Sequence, residues 1–129
     1  MRRTCLAALA LLALAACAPR KPDAGGEGQT SGASKAPPAF AICAGCHSIR
    51  PGGGGSGPSL AGVWGRKAGT LPGYPYSEAL AKSGIVWDDK SLDRWLAGPI
   101  QMVPGTKMVF GIPDQGARKD VVDYLKTLK

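Results

Sequence analysis

Cys43-Ala44-Gly45-Cys46-His47 is the stretch that decides how this chain folds. Two thiols about one helical turn apart, followed at once by an imidazole, form the C-x-x-C-H signature of c-type haem attachment. The thiols add across the two vinyl groups of the porphyrin, and the histidine then lies over the iron with Nε2 as ligand. Two rival readings of C-x-x-C fail. A thioredoxin-like redox pair needs a βαβ setting, which this sequence lacks. A zinc site needs four ligands, and beyond these two cysteines and one histidine the domain offers no further cysteine or histidine.

His47 is the only histidine in the chain, so bis-histidine ligation within this polypeptide is excluded. The opposite axial position is left to Met, Lys, solvent or nothing. Met102 and Met108 are the candidate thioethers. Pro104-Gly105-Thr106-Lys107-Met108 puts Met108 on a loop stiffened by proline and turned by glycine. Loop chemistry therefore favours Met108, with core filling the alternative role for either methionine.

The chain has 129 residues, enough for one domain, and a formal net charge of +7. Residues 37–129 hold eleven basic and seven acidic groups with no basic run, so a nucleic-acid face is not expected. The N-terminus reads as a targeting segment. Met1-Arg2-Arg3 supplies positive charge, and residues 6–16 are continuously apolar. That run is too short for a transmembrane helix, which needs about 20 residues, and fits a cleaved export signal. Leu14-Ala15-Ala16-Cys17 has the form of a bacterial lipobox, which makes Cys17 the expected lipidated first residue of the mature protein. Several acyl chains anchor firmly where one is marginal. Cys5 leaves with the signal and Cys17 takes lipid, so no disulfide framework is expected.

Residues 18–36 are rich in Gly, Ala, Ser, Pro and Lys and carry no bulky apolar group. They read as a flexible tether with a span of roughly 25 Å. The folded part is expected to start near Pro37. Pro38 suits the first turn of a helix running through Phe40 and Ile42. Residues 48–73 read as loop. A short helix is expected over residues 77–83 with Ser77 as N-cap. Another begins at Asp88 or Asp89 and stops at Gly98-Pro99, and the last follows Ala117, Val121, Tyr124, Leu125 and Leu128. No strand pattern is evident. The expected class is all-α, three to four helices with long loops. Residues 37–129 are too few, and too rich in Gly and Pro, to bury a large core of their own. A haem inside repairs that deficit.

From Cys43 to Lys129 the sequence resembles the mitochondrial-type class I cytochromes c and their bacterial relatives. The resemblance rests on Cys43-Ala44-Gly45-Cys46-His47, Gly57-Pro58-Ser59-Leu60, Gly65-Arg66-Lys67-Ala68-Gly69, Pro72-Gly73-Tyr74, Lys82-Ser83-Gly84-Ile85-Val86-Trp87 and Pro104-Gly105-Thr106-Lys107-Met108. It implies the small cytochrome c fold and His47/Met108 ligation of one covalent haem c. It implies that the Pro58 carbonyl accepts the other imidazole N–H of His47. It places Arg66, Tyr76 and Trp87 at the haem propionates, which need donors and positive charge when buried, and Thr106 as a buttress of the methionine loop. Trp95 and Leu80 depart from the tyrosine and asparagine usual in the family, which alters the hydrogen bonding beside the methionine. Phe40 keeps the aromatic half of a helix–helix contact. The loop around Phe110-Gly111-Ile112 is one residue short. Where relatives carry a ring of lysines at the haem edge, this chain has Ile42, Ile100 and Gln101. An apolar docking patch of Ile42, Ile100, Val103 and Val109 is therefore expected, with partial burial in the core as the alternative.

The organisation expected is a lipoprotein signal over residues 1–16, a lipidated cysteine and tether over 17–36, and a cytochrome c domain over 37–129. The expected function is a monomeric, lipid-anchored electron carrier on the periplasmic side of a bacterial membrane. Family resemblance supplies its partners, a quinol-oxidising bc complex and a terminal oxidase. With both axial positions filled, no catalysis is expected. The alternatives are a haem enzyme or gas sensor with a labile Met108, or a dedicated haem subunit of a larger oxidoreductase. The absence of a second histidine as distal acid weighs against the enzyme.

Overall fold

Proline opens the ordered chain. Pro37 is extended (φ −67°, ψ 155°) and Pro38 enters a 3-10 turn, Pro38–Phe40, which runs directly into helix α1, Ala41–Ala44. Proline suits this entry because its fixed φ is already helical and its missing N–H has no partner to lose. The computed structural model describes residues 35–129. The expectations for the signal segment, Cys17 and the tether as far as residue 34 lie outside the described residues.

Helix α2 spans Glu78–Ala81, shorter than the stretch 77–83 expected for it. Ser77 caps it, its hydroxyl accepting from the Leu80 N–H. Helix α3, Asp89–Ala97, starts at a capping box: the Asp88 carboxylate accepts from the Ser91 N–H at 2.7 Å, and the Ser91 hydroxyl accepts from the Asp88 N–H at 2.8 Å. Gly98 does end α3, but Pro99 then opens a further turn, α4, Pro99–Met102. Helix α5, Gln115–Thr127, is capped by Asp114. Five α-helical segments are thus present among the described residues where three to four helices were expected, because Pro99 starts a turn as readily as it stops one. Among the described residues there is no strand, only an isolated antiparallel bridge between Lys67 and Val86. None of the described helices is long and apolar enough to cross a membrane.

Helices α3 and α5 form the principal helix pair. Leu92, Trp95 and Leu96 of α3 and Val121, Val122, Tyr124 and Leu125 of α5 are buried. The N-terminal turn docks onto α5 through Phe40, whose ring meets Tyr124 edge-on at 4.7 Å and 70°. The remaining polypeptide, residues 45–77 and 103–114, is mostly loop. It wraps the other face of the helix pair and builds the walls of a cleft.

Candidate functional site

Helix α1 carries Cys43, and the chain stays coiled just past its end. The Cys43 carbonyl accepts from the N–H groups of both Cys46 (3.1 Å) and His47 (2.9 Å). Two cysteines and a histidine are thereby held on one tight turn. Cys43 is half-buried and Cys46 exposed, and burial pushes the Cys43 thiol above its ordinary range.

The chain then folds back over this turn. Gly57 N–H donates to the Cys46 carbonyl at 2.9 Å and Leu60 N–H to Ser48 at 2.8 Å. Ser59 is buried, its hydroxyl donating to the Arg50 carbonyl. This return brings the Pro58 carbonyl to 2.7 Å from His47 Nδ1. A carbonyl only accepts, so Nδ1 carries the proton and Nε2 is left with its lone pair free to bind a metal. Gly57 is pressed against the same ring. A Cβ there would lie 2.5 Å from Cε1 and 2.6 Å from Nδ1.

His47 and Cys43 line a cleft whose empty space, its open mouth included, is about 820 Å³. Its walls are apolar, with Val63, Leu80, Leu92, Trp95, Leu96, Val121 and Leu125 contributed by the loops and by α2, α3 and α5. Trp95 leans on Trp87 at 5.3 Å between ring centroids, the planes 59° apart. A second, adjoining hollow shares Cys43, His47, Pro58, Tyr74, Leu96, Lys107 and Met108 and opens beside Cys46.

Met108 lines both hollows. It follows a turn in which Thr106 N–H donates to the Val103 carbonyl at 3.1 Å, and its own N–H reaches the Thr106 hydroxyl at 3.4 Å. Lys107 ties the turn to the Pro75 carbonyl through its ammonium group. Met102 packs against the core and is not among the residues lining the cleft. Arg66, Tyr76, Trp87 and Thr106 line the cleft as well. The two terminal nitrogens of Arg66 donate to the carbonyls of Ala61 (3.0 Å) and Ser59 (3.1 Å). Burial raises the Tyr76 hydroxyl above its usual range, and the Arg66 charge opposes that shift. Cys46 lines the adjoining hollow with Pro58.

All nine sequence-assigned residues of the folded domain therefore converge on one place. The set fits a haem: paired thiols, an imidazole with its second nitrogen committed, a thioether lining the same cleft, and apolar walls. Two neighbours were not singled out from sequence. Tyr74 stacks edge-on against Tyr76 at 4.8 Å and donates its hydroxyl to the Ser56 carbonyl at 2.9 Å. Arg118 holds the far end of the methionine loop. The Pro72-Gly73-Tyr74 turn could have flagged the first; no local signal marks the second.

The family model for cytochrome c matches residues 33–129. The chain belongs to the cytochrome c family. Cytochrome c2 iso-2 of Magnetospirillum molischianum is 50% identical over 95 residues, covering 73% of this chain and 98% of that protein. Cytochrome c of Euglena viridis is 51% identical, covering 65% and 83% respectively. Among solved structures, cytochrome cH from Methylobacterium extorquens is similar with a TM-score of 0.65 and 52% identity, covering 69% of this chain and 91% of that one. As a member of the family the protein is an electron carrier with one covalent c-type haem.

One expectation about the surface of this cytochrome is corrected. Val103 is buried, 6% exposed, and cannot belong to a docking patch. It sits where α4 ends, its N–H bonded to the Pro99 carbonyl at 2.8 Å, and its side chain joins the core. Ile42 (54%), Ile100 (45%) and Val109 (59%) are exposed, and Phe110 (63%) joins them.

Proposed function

We propose that this chain is a lipid-tethered periplasmic carrier that takes single electrons from a quinol-oxidising bc complex and delivers them to a terminal oxidase. The bound haem supplies a one-electron ferric/ferrous couple. Cys43 and Cys46 would hold it through thioethers, with His47 Nε2 and the Met108 sulfur as its iron ligands. Pro58 fixes the His47 tautomer and strengthens the nitrogen donor. Arg66, Tyr76 and Trp87 receive the propionates, and Thr106 supports the methionine turn. A thioether ligand favours ferrous iron and raises the potential. With His47 and Met108 both serving as ligands, the iron would offer no site to a substrate, which supports a carrier rather than an enzyme. It works as a monomer.

The observation that carries this reading is the His47–Pro58 bond at 2.7 Å on one side of a cleft that Met108 also lines. Tethering is supported by the Leu14-Ala15-Ala16-Cys17 sequence and the linker composition. A tether supplies effective concentration without charge steering, in keeping with a hollow where, among the described residues, Lys107 is the one charged side chain beside Ile42, Val109 and Phe110.

Fractionation tests the proposal. In membranes of a host that exports and matures it, the ascorbate-reducible haem is expected to resist salt washing, and Cys17→Ala is expected to release it into the soluble periplasmic fraction. The released variant is expected to be reduced by bc-complex membranes and reoxidised by oxidase membranes. Salt-releasable wild-type protein would remove the anchor; failure to turn over with either membrane would remove the assigned partners.

A further inference from the structure

Between Met108 and helix α5 runs a strap, residues 109–113, that is almost free of backbone bonding. Val109 and Phe110 are exposed, and neither has a backbone hydrogen bond among the described residues. The near end is held by the Thr106 turn, whose bond to the Met108 N–H is long at 3.4 Å. Everything that fixes the far end therefore bears on where the Met108 sulfur sits.

At the far end the chain presses onto α3. Ile112 N–H donates to the Leu96 carbonyl at 2.6 Å, and a Cβ on Gly111 would lie 3.0 Å and 3.1 Å from the carbonyls of Ala97 and Leu96. The two carbonyls that follow point to a single side chain. Arg118, in the first turns of α5, donates Nη1 to Ile112 (3.0 Å) and Pro113 (2.8 Å), and Nε to Asp93 of α3 (2.8 Å). Its side chain is only 11% exposed. A guanidinium serves three acceptors in fixed directions because its donors lie in one rigid plane, which an ammonium group cannot reproduce.

We propose that Arg118 is a positioning residue for Met108: it clasps the strap to α3 and α5 and so keeps the thioether on the iron. The proposal rests on the His47/Met108 reading above. The strap is a short lever. Ile112 lies four positions beyond Met108, a reach of at most about 14 Å, so slack at the clasp is passed to the sulfur. Local opening of a segment with few buried bonds costs far less than global unfolding. Arg118 raises that local cost without touching the haem.

The test uses the full-length holoprotein and imidazole as a competing ligand for the methionine position. Arg118→Leu is expected to tighten imidazole binding about tenfold, equivalent to about 1.4 kcal/mol. It is also expected to weaken the far-red sulfur–iron band and to speed exchange of the Ile112 amide hydrogen. Arg118→Lys is expected to recover only part of each effect. Asp93→Asn, which leaves the two carbonyl bonds in place, is expected to fall between wild type and Arg118→Leu. Leu128→Ala serves as control, since Leu128 is buried at the end of α5 away from the strap. It is expected to lower the melting temperature while leaving imidazole affinity unchanged.

Imidazole affinity within about twofold of wild type in Arg118→Leu, or an equal change in Leu128→Ala, would overturn the proposal. A wild-type ferric spectrum that lacks the far-red band and is unaltered by Met108→Ala would instead overturn the ligation reading beneath it.

Discussion

The His47 ring has one orientation open to it, set by the Pro58 carbonyl on Nδ1 and by the bare Cα of Gly57 against its face. Gly57→Ala places a methyl group within 3.0 Å of three ring atoms, so either ring or loop must move. The expected result is a lower yield of covalently loaded protein and a lowered reduction potential in what remains, measured by haem absorbance per polypeptide and by potentiometric titration. Met108→Ala is expected to give a high-spin ferric spectrum with no far-red band, still covalently haem-loaded because Cys43 and Cys46 are untouched. At this scale the sequence was highly legible. Cys43, Cys46 and His47 are neighbours in the chain, and one turn of backbone suffices to group them. Val103 was misjudged for the opposite reason. An apolar residue in an aperiodic loop has no repeat to say which way it faces, and only the α4 turn directs it inward.

Among the elements, α3 and α5 show how much capping and ion pairing the sequence specifies. Asp88→Ala removes one half of a capping box and is expected to destabilise the protein, read from a lowered urea midpoint at unchanged slope. Beyond the cap, Asp89 accepts from both Lys126 (2.8 Å) and the Trp64 indole (2.9 Å), and Asp123 accepts from Lys119 (2.6 Å) and Lys126 (3.2 Å). These bonds hold the Asp88, Asp89 and Asp123 carboxyls below the ordinary range. A depressed folded-state pKa means stability that is complete above the unfolded value, about 3.9, and lost as pH falls through the folded one. Melting temperature is therefore expected to fall on acidification below about pH 4, and Asp89→Asn is expected to flatten part of that fall. These groups are exposed, so the effect is also expected to shrink in high salt. The caps at Ser77, Asp88 and Asp114 lie beside the turns they serve; the first could be assigned from sequence, and the second was narrowed to Asp88 or Asp89. The α4 turn could not, because Gly98-Pro99 ends one helix and begins another with the same two residues. Arg118 was equally hidden. Its partner Asp93 is 25 positions away, and nothing local distinguishes a clasp from a solvated arginine.

For the whole molecule, the balance is between a small polypeptide core and a large cleft. Phe40 is one of few contacts joining the N-terminal turn to α5, and Phe40→Ala is expected to cost about 3–5 kcal/mol, measured by thermal or urea unfolding of the holoprotein. The mouth of the cleft carries Ile42, Val109 and Phe110 with little charge around them. Electron-transfer rates with membrane partners are accordingly expected to change little with added salt, since screening acts on charge steering; a steep fall would show that charge steers the encounter after all. The helical class was readable from the spacing of apolar residues and the missing strand pattern, and the need for an internal cofactor from glycine and proline content against a domain of this size. The cleft itself was not, because its walls come from six separated stretches between residues 43 and 125 that only the fold assembles. Intact mass of the purified native protein, with thiol alkylation before analysis, tests the central claim most directly. The account predicts one haem added covalently to each polypeptide and no alkylation at Cys43 or Cys46. A folded, colourless protein with both thiols free would contradict it.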